Sequence, residues 1–331
     1  MACQNHNISV DPLNTHHLFR TRDIDEARQV VSAKFCDHKL IPGDTSEAFE
    51  TCHNRASGRS LSLNFLRYSS EVAIDPGELT DFYLVQIPLR GRAVVKTGAH
   101  EVEASNQTAS ILNPTEATRM TWQAGCEKLL VQIDRGALHD LAETLTGHHL
   151  PHALVFNPEM QLQTAALKRW VDQVWACVQA AQNGAAFGNS AYRFQSVIEE
   201  DLMTSLLQSQ PNAITHFLKD RPLALPARAV RSATEYIRAN LSDPITMRDI
   251  AGQANCSVRS LQTGFQSSLG CTPKQYLNRQ RLKLAHYLLQ TAPPGTLVST
   301  VAYDTGFAHL GRFSIAYKEA YGQSPSLSLL H

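Results

Sequence analysis

Residues 257–277 run SVRSLQTGFQSSLGCTPKQYL, and residues 301–326 run VAYDTGFAHLGRFSIAYKEAYGQSPS. Laid on each other at an offset of 52, Leu261 falls on Phe313, Phe265 on Tyr317, Gly270 on Gly322 and Pro273 on Pro325. A supersecondary unit is used twice. Each copy holds a short helical segment (Met247–Ala254; Val298–Asp304), a tight turn (Asn255-Cys256-Ser257; Gly306-Phe307-Ala308) and a longer helix. That order is a helix-turn-helix.

The longer helices divide by face. In the first, Val258, Leu261 and Phe265 at i, i+3 and i+7 turn inward, which leaves Arg259, Gln262, Thr263 and Gln266 outside, with Ser257 placed to cap the N-terminus. In the second, Phe313 and Tyr317 turn inward while His309, Arg312 and Ile315 take the other side. Arg and Gln near the start of such a helix carry the donors and acceptors that read guanine and adenine edges in a major groove. Taken singly, each polar residue also fits a plain solvated helix face. Two copies in one basic module point to DNA.

The module is basic. Residues 221–331 hold 12 Lys+Arg against 5 Asp+Glu, so the first 220 hold 18 bases and 25 acids of the 30 and 30 in the whole chain. Zero net charge therefore hides a C-terminal excess of 7, which suggests nucleic acid as a partner of that part. Seven helical segments are expected there: Arg228–Asn240, Thr246–Ala254, Val258–Leu269, Pro273–Gln290, Val298–Asp304, His309–Tyr321 and a stub after Pro325. Residues 211–226, with Pro211, Pro222 and Pro226, break the helical pattern where the charge changes, and they form the expected linker between residues 1–210 and 227–331.

Upstream the period is different. Leu61 to Asp134 reads as short strands (Leu61, Leu63 and Phe65 alternating, then Phe82–Leu89, Ala93–Val95, Ser110–Leu112 and Lys128–Ile133), split by turn signals such as Asp75-Pro76-Gly77 and Arg90-Gly91. An antiparallel barrel or sandwich is expected over about residues 45–135. From 158 to 209 the period turns helical, with Leu162, Ala166, Trp170, Val174 and Val178 on one stripe and Ile198, Leu202 and Leu206 on a second helix. Those stripes either pack on the strand domain or form a dimer seam.

Several classes are set aside. The seven cysteines are scattered without a C-x-x-C, which argues against a zinc ribbon, a redox pair and a disulfide framework. No G-x-S-x-G, Walker loop, G-x-G-x-x-G or H-E-x-x-H occurs, so no enzyme signature is visible, although dispersed carboxylates could pair in space. The start MACQNHNISVDP has no signal-peptide or transit-peptide character and no stretch reaches membrane-span length, so a cytoplasmic, nucleoid-associated location without membrane contact is expected. His148, His149 and His152 lie beside Gly147 and Pro151 and read as a loop rather than a metal site.

At the duplicated motif the resemblance becomes specific: the two runs quoted above look like the signature of the AraC/XylS family of transcription regulators. The string from Gly306 to Phe313 with Ser324-Pro325 is similar to the branch containing XylS, BenR and AntR. Shorter matches lie in Cys52-His53-Asn54-Arg55, in Ile87-Pro88-Leu89-Arg90-Gly91, and in Leu112-Asn113-Pro114 with Cys126-Glu127-Lys128. The resemblance implies an α+β protein, with an N-terminal cupin-like β-barrel and trailing helices for effector binding and dimerisation, and a C-terminal all-α domain with two helix-turn-helix motifs.

Carried over residue by residue, it places base reading on Arg259, Gln262 and Thr263, then on Leu310, Gly311 and Ile315, with His309 nearby and Arg312 at a phosphate position. The chain departs from the common pattern in having Gly264 and Gly311 inside helices, at ~1 kcal/mol each relative to Ala. Its second helix offers few base-edge donors, so shape and phosphates carry more of the second half-site. The implied partners are double-stranded promoter DNA, RNA polymerase, a second copy of the chain, and a small aromatic acid of benzoate or anthranilate type; neither metal nor cofactor is implied. A carboxylate needs a cation or donor fork, and a ring needs an apolar slot. Arg55 beside His53 is the expected anchor, and Tyr83 and Trp122 the expected slot. Surface pairing of Arg55 and simple core roles for the two aromatics are the plain alternatives. The competing functions are a regulator of this fold governed by another ligand, a protein partner or abundance alone, and a catalytic β-domain.

Overall fold

A computed structural model of the chain describes residues 11–43, 48–146, 149–188, 193–219, 227–293 and 295–329. In chain order the strands are β1 (His17–Thr21), β2 (Lys39–Pro42), β3 (Thr51–Ser57), β4 (Leu61–Tyr68), β5 (Val72–Gly77) and β6 (Phe82–Arg90). They continue as β7 (Ala93–Thr97), β8 (His100–Ala104), β9 (Thr108–Leu112), β10 (Thr118–Trp122), β11 (Glu127–Asp134) and β12 (Glu159–Gln161). Contacts divide the chain into two compact units, one of residues up to 141 with 150–195 and 201–215, the other of 142–149, 196–200 and 216–331.

The first unit holds two antiparallel sheets, in the orders β1-β3-β4-β11-β6-β9-β12 and β2-β5-β10-β7-β8. This is the cupin-like sheet domain of an α+β protein. Cross-strand partners share a face, so the pairs Leu66–His53, Lys128–Leu66, Leu130–Asn64 and Leu130–Gln86 put these side chains together on one side of the larger sheet. That side faces the smaller sheet: Leu66, Tyr68, Phe82, Leu84 and Leu130 from one sheet pack in a single core with Val72, Ile74, Val95, Met120 and Trp122 from the other. The alternate residues Phe65, Tyr83, Val85, Ile87, Leu129 and Val131 are buried as well. A sheet covered on both faces reads as continuous apolar runs rather than clean alternation, which is why β4, β6 and β11 are legible as strands but not as two-faced ones.

Short strands are harder to find. Asp75-Pro76-Gly77, expected as a turn, instead ends β5; Gly77 at φ 64° forms an irregularity opposite Thr118, where the pairing slips. Gly can take that left-handed backbone without a Cβ clash.

The longer helices before residue 210 are α1 (Ile24–Ser32), α2 (Arg135–Thr146), α3 (Ala165–Gln182) and α4 (Gln195–Ser209). Asp23 caps α1 by accepting from the N–H of Asp25 and Glu26, and Thr164 caps α3 through Leu167. The apolar stripe of α3 is covered within one chain: Trp170, Val174 and Val178 are buried, and Trp170 Nε1 donates to Leu202 O at 3.1 Å. Residues 211–213 pair with 155–157 through Asn157 N to Pro211 O and Ala213 N to Val155 O, both 2.9 Å. The expected linker therefore opens with paired backbone and the short α5 (Thr215–Lys219); residues 220–226 lie outside the described residues.

The second unit contains α6 (Ala227–Ala239), α7 (Met247–Gln253), α8 (Val258–Leu269), α9 (Pro273–Gln290), α10 (Val298–Asp304), α11 (Leu310–Tyr321) and α12 (Pro325–Ser328). The repeat positions are stop and start signals. Gly270 at φ 64° and Gly322 at φ 75° end α8 and α11, and Pro273 and Pro325 open α9 and α12 behind Thr272 and Ser324. One buried cation joins the two modules: Arg281 on α9 donates from Nε to Leu241 O (2.8 Å), from Nη1 to Gly306 O (2.7 Å) and from Nη2 to Asp243 O (2.6 Å). Gly306, at φ 86°, is required there, since a Cβ would come within 2.6 Å of Arg281 Cζ and 2.7 Å of Leu241 O.

Candidate nucleic-acid interface and effector cavity

The first longer helix has the face its sequence demands. Val258, Leu261, Gly264 and Phe265 are buried, Arg259, Gln262 and Thr263 are half-buried, and Gln266 is exposed. Ser257 Oγ accepts from Ser260 N at 3.1 Å and frees the helix start from an orphan donor. Arg259 Nη1 is sheltered from solvent with no hydrogen-bond acceptor among the described residues.

The second longer helix presents a different surface. Phe313 and Tyr317 are buried, with the Tyr317 hydroxyl donating to Ser328 Oγ at 2.8 Å and lying 2.6 Å from His286 Nδ1. Gly311 and Arg312 are exposed, His309 is the half-buried N-cap, and Leu310 (37% exposed) and Ile315 (63%) are apolar side chains in solvent. The outward side of α8 carries hydrogen-bonding side chains, and that of α11 adds two exposed aliphatic ones, Leu310 and Ile315.

In the first unit a small apolar cavity lies between the two sheets, walled by Phe35, Leu66, Tyr68, Met120, Trp122 and Leu130 among others. Its polar groups are few. Gln86 lines it, and behind Gln86 lies Lys128, whose buried Nζ donates to Gln86 Oε1 at 2.7 Å and stands 4.1 Å above the Trp122 ring centroid. With Oε1 committed to the ammonium, the Gln86 amide presents its Nε2 donor elsewhere, and its partner there is Met120 Sδ at 3.4 Å, a weak acceptor. No carboxylate pairs with Lys128 among the described residues, and burial pushes its amine down to about 7. Tyr68 and Trp122 meet edge to face at 5.6 Å, yet the Tyr68 hydroxyl and Trp122 Nε1 are buried with no hydrogen-bond partner among the described residues.

Of the four residues expected to hold an effector, Trp122 lines this cavity. Tyr83 is on the opposite face of the larger sheet; its hydroxyl donates to Leu154 O at 2.7 Å and its ring packs on Phe156. His53 and Arg55 share the inner face but converge on Asn64: His53 Nε2 donates to Asn64 Oδ1 at 3.1 Å, and Arg55 Nη1 donates to Asn64 Oδ1 and Gln132 Oε1, both 2.9 Å. Burial pushes the His53 imidazole down to about 4, so it is neutral. Arg55 lines a neighbouring groove, and Phe35, stacked on His53 at 5.6 Å, is a wall of both groove and cavity. The structure thus brings Arg55 and His53 together and separates both from Trp122. Gln86 and Lys128 were missed as site residues, although Lys128 alternates with Leu130 on one strand face and so marks a cation inside an apolar wall.

His149 Nδ1 lies 2.6 Å from Glu143 Oε1, while His148 falls outside the described residues. No group of three or more potential metal ligands occurs among the described residues, and no helix there is long and apolar enough to cross a membrane.

Residues 27–208 match the AraC-binding-like domain family, and residues 250–327 match a helix-turn-helix domain family. The chain is 32% identical over 311 residues to the probable thc operon regulatory protein of Rhodococcus erythropolis, covering 93% of each. It is 25% identical over 278 residues to a XylDLEGF operon transcriptional activator of Pseudomonas putida, covering 84% of this chain and 83% of that one. A solved structure of a probable AraC family transcriptional regulator from Rhodopseudomonas palustris is 36% identical over 31% of this chain and 96% of its own, at a TM-score of 0.30.

Proposed function

The chain belongs to the AraC/XylS family of DNA-binding transcriptional regulators, and from that premise we propose that it activates genes for breakdown of aromatic compounds when a small aromatic carboxylate occupies the cavity between its two sheets. The observation that carries this reading is the pairing of an apolar, aromatic-walled cavity with Lys128, a buried cation that has no anion of its own. A ring fits between Tyr68, Trp122 and Leu130, and its carboxylate takes the Gln86 amide donor, with the Lys128 charge directly behind it. The anchor moves from Arg55, which donates from Nη1 to two side-chain amides and lines the neighbouring groove rather than this cavity, to the Gln86–Lys128 pair.

Residues 1–210 serve as the effector and dimerisation part and 227–331 as the DNA-binding part. On promoter DNA, Arg259, Gln262 and Thr263 read base edges, with a DNA acceptor supplying what Arg259 Nη1 lacks. Leu310, Gly311 and Ile315 approach the second half-site by apolar contact and Arg312 holds a phosphate. Ligand shifts the population toward a dimeric, DNA-competent state that recruits RNA polymerase, which requires tighter binding to that state than to the inactive one.

The test is the melting temperature of the full chain with benzoate, alkylbenzoates and halobenzoates, against the matching neutral benzamides. A rise with a carboxylate but not with its amide supports the reading. No rise with any member overturns it and leaves DNA recognition untouched.

A further inference from the structure

We propose that His38 sets specificity in this cavity: its Nε2 receives a hydrogen-bond donor carried on the ligand's ring, so that a hydroxybenzoate binds more tightly than benzoate itself. The inference rests on the reading of the cavity as an effector site and deepens it.

Three side chains that wall the cavity hold a buried polar atom without a hydrogen-bond partner among the described residues: His38 Nε2, the Tyr68 hydroxyl and Trp122 Nε1. Buried polar groups in proteins are nearly always paired, so three around one cavity is an unusual concentration. Their chemistry differs. Trp122 Nε1 can only donate, and the Gln86 amide, its oxygen held by Lys128, also donates. His38 is fixed the other way. Its Nδ1 lies 3.1 Å from the Cys36 carbonyl oxygen, which can only accept, so Nδ1 carries the hydrogen; Ser32 Oγ stands at 3.1 Å on the same nitrogen. Burial holds the imidazole below its ordinary value, so the ring is neutral and Nε2 is a bare acceptor. Benzoate has acceptors alone. It can satisfy Gln86 and Trp122 but offers nothing to His38, whereas a ring hydroxyl or amine supplies the missing hydrogen. Tyr68 can play either role and does not discriminate.

The experiment is isothermal titration of the full chain with benzoate, its three hydroxybenzoate isomers and the corresponding methoxybenzoates, which keep the oxygen and lose the donor. At least one hydroxybenzoate is expected to bind about tenfold more tightly than benzoate, as one added hydrogen bond allows. Its methyl ether should lose that gain. His38→Phe should erase the difference between hydroxybenzoate and benzoate measured on that variant. If every hydroxybenzoate binds no better than benzoate, or if the gain survives in the methyl ether or in His38→Phe, the inference is overturned although the effector site stands. Failure of benzoate and all its derivatives to bind overturns the effector reading and this inference with it. Should His38→Phe not fold, the hydroxy-against-methoxy comparison on the natural chain decides alone.

Discussion

Lys128→Met reports directly on whether a cation is buried at a cost for the sake of a ligand. The Lys128 ammonium is fully buried, with Gln86 Oε1 at 2.7 Å and the Trp122 ring beneath it. Its pKa falls from 10.5 to about 7 because burial disfavours the charged form more than these contacts favour it. At ~1.36 kcal/mol for each pH unit between those values, keeping the proton inside the fold costs about 5 kcal/mol. The folded value is the lower one, so between about 7 and 10.5 the unfolded chain binds more protons and stability rises with pH; below about 7 the cost is complete. Methionine removes that cost but leaves Gln86 Oε1 without its donor, a loss of ~1–3 kcal/mol. The variant should therefore be more stable than the natural chain by about 2–4 kcal/mol at pH 6, and by pH 10, where the proton cost has fallen below the lost hydrogen bond, it should be the less stable of the two. Denaturant unfolding of both chains from pH 6 to 10, followed by tryptophan fluorescence, measures the difference, and titrations common to both cancel. All three tryptophans (Trp122, Trp170, Trp175) belong to the strand-bearing unit, so the signal reports on the right part of the chain. A variant less stable at pH 6, or a difference that does not change with pH, would refute the reasoning.

The same lysine predicts that benzoate binding at pH 8 takes up protons, because an anion raises the pKa of a mostly neutral amine; calorimetry in buffers of different ionisation enthalpy should show uptake that Lys128→Met abolishes. In the helical unit, Arg281→Ala strips donors from the Leu241, Asp243 and Gly306 carbonyls and should cost about 3–5 kcal/mol, seen as early loss of helical circular dichroism together with DNA binding. Gly306→Ala should damage the same joint through its Cβ contact with Arg281. On DNA, Arg259→Ala or Gln262→Ala should lower discrimination between cognate and random sequence, by about 1–3 kcal/mol for a well-made base contact. Arg312→Ala should instead weaken both about equally and reduce the salt slope by ~1; equal effects from all three variants would defeat the assignment.

The duplicated module was legible because its signals are local. The cap at Ser257, the repeated Gly270, Gly322, Pro273 and Pro325, and the apolar spacing along Val258, Leu261 and Phe265 act within a few residues of chain, so the string alone places the helices and their outward faces. Strand existence was legible where β4, β6 and β11 are long, and less so at β5, where Pro76 and Gly77 look like a turn until pairing with β10 is known.

What alternation cannot state is which face meets which partner. Tyr83 and Gln86 belong to one strand and differ in parity; one turns to Leu154 and the other to the cavity. Arg55 satisfies the sequence criterion for an anion anchor but lines a neighbouring groove, where its Nη1 donates to Asn64 and to Gln132, the latter 77 residues away. Lys128 and Gln86 are 42 residues apart and become neighbours only when β11 lies beside β6. Local signals along the chain suffice for the two helix-turn-helix units, the Ser257 cap and the strand-rich half before them. The tertiary structure decided which polar atoms surround the cavity, because backbone hydrogen bonds pair strands from anywhere in the chain, while a single side chain sees only the neighbours that pairing brings.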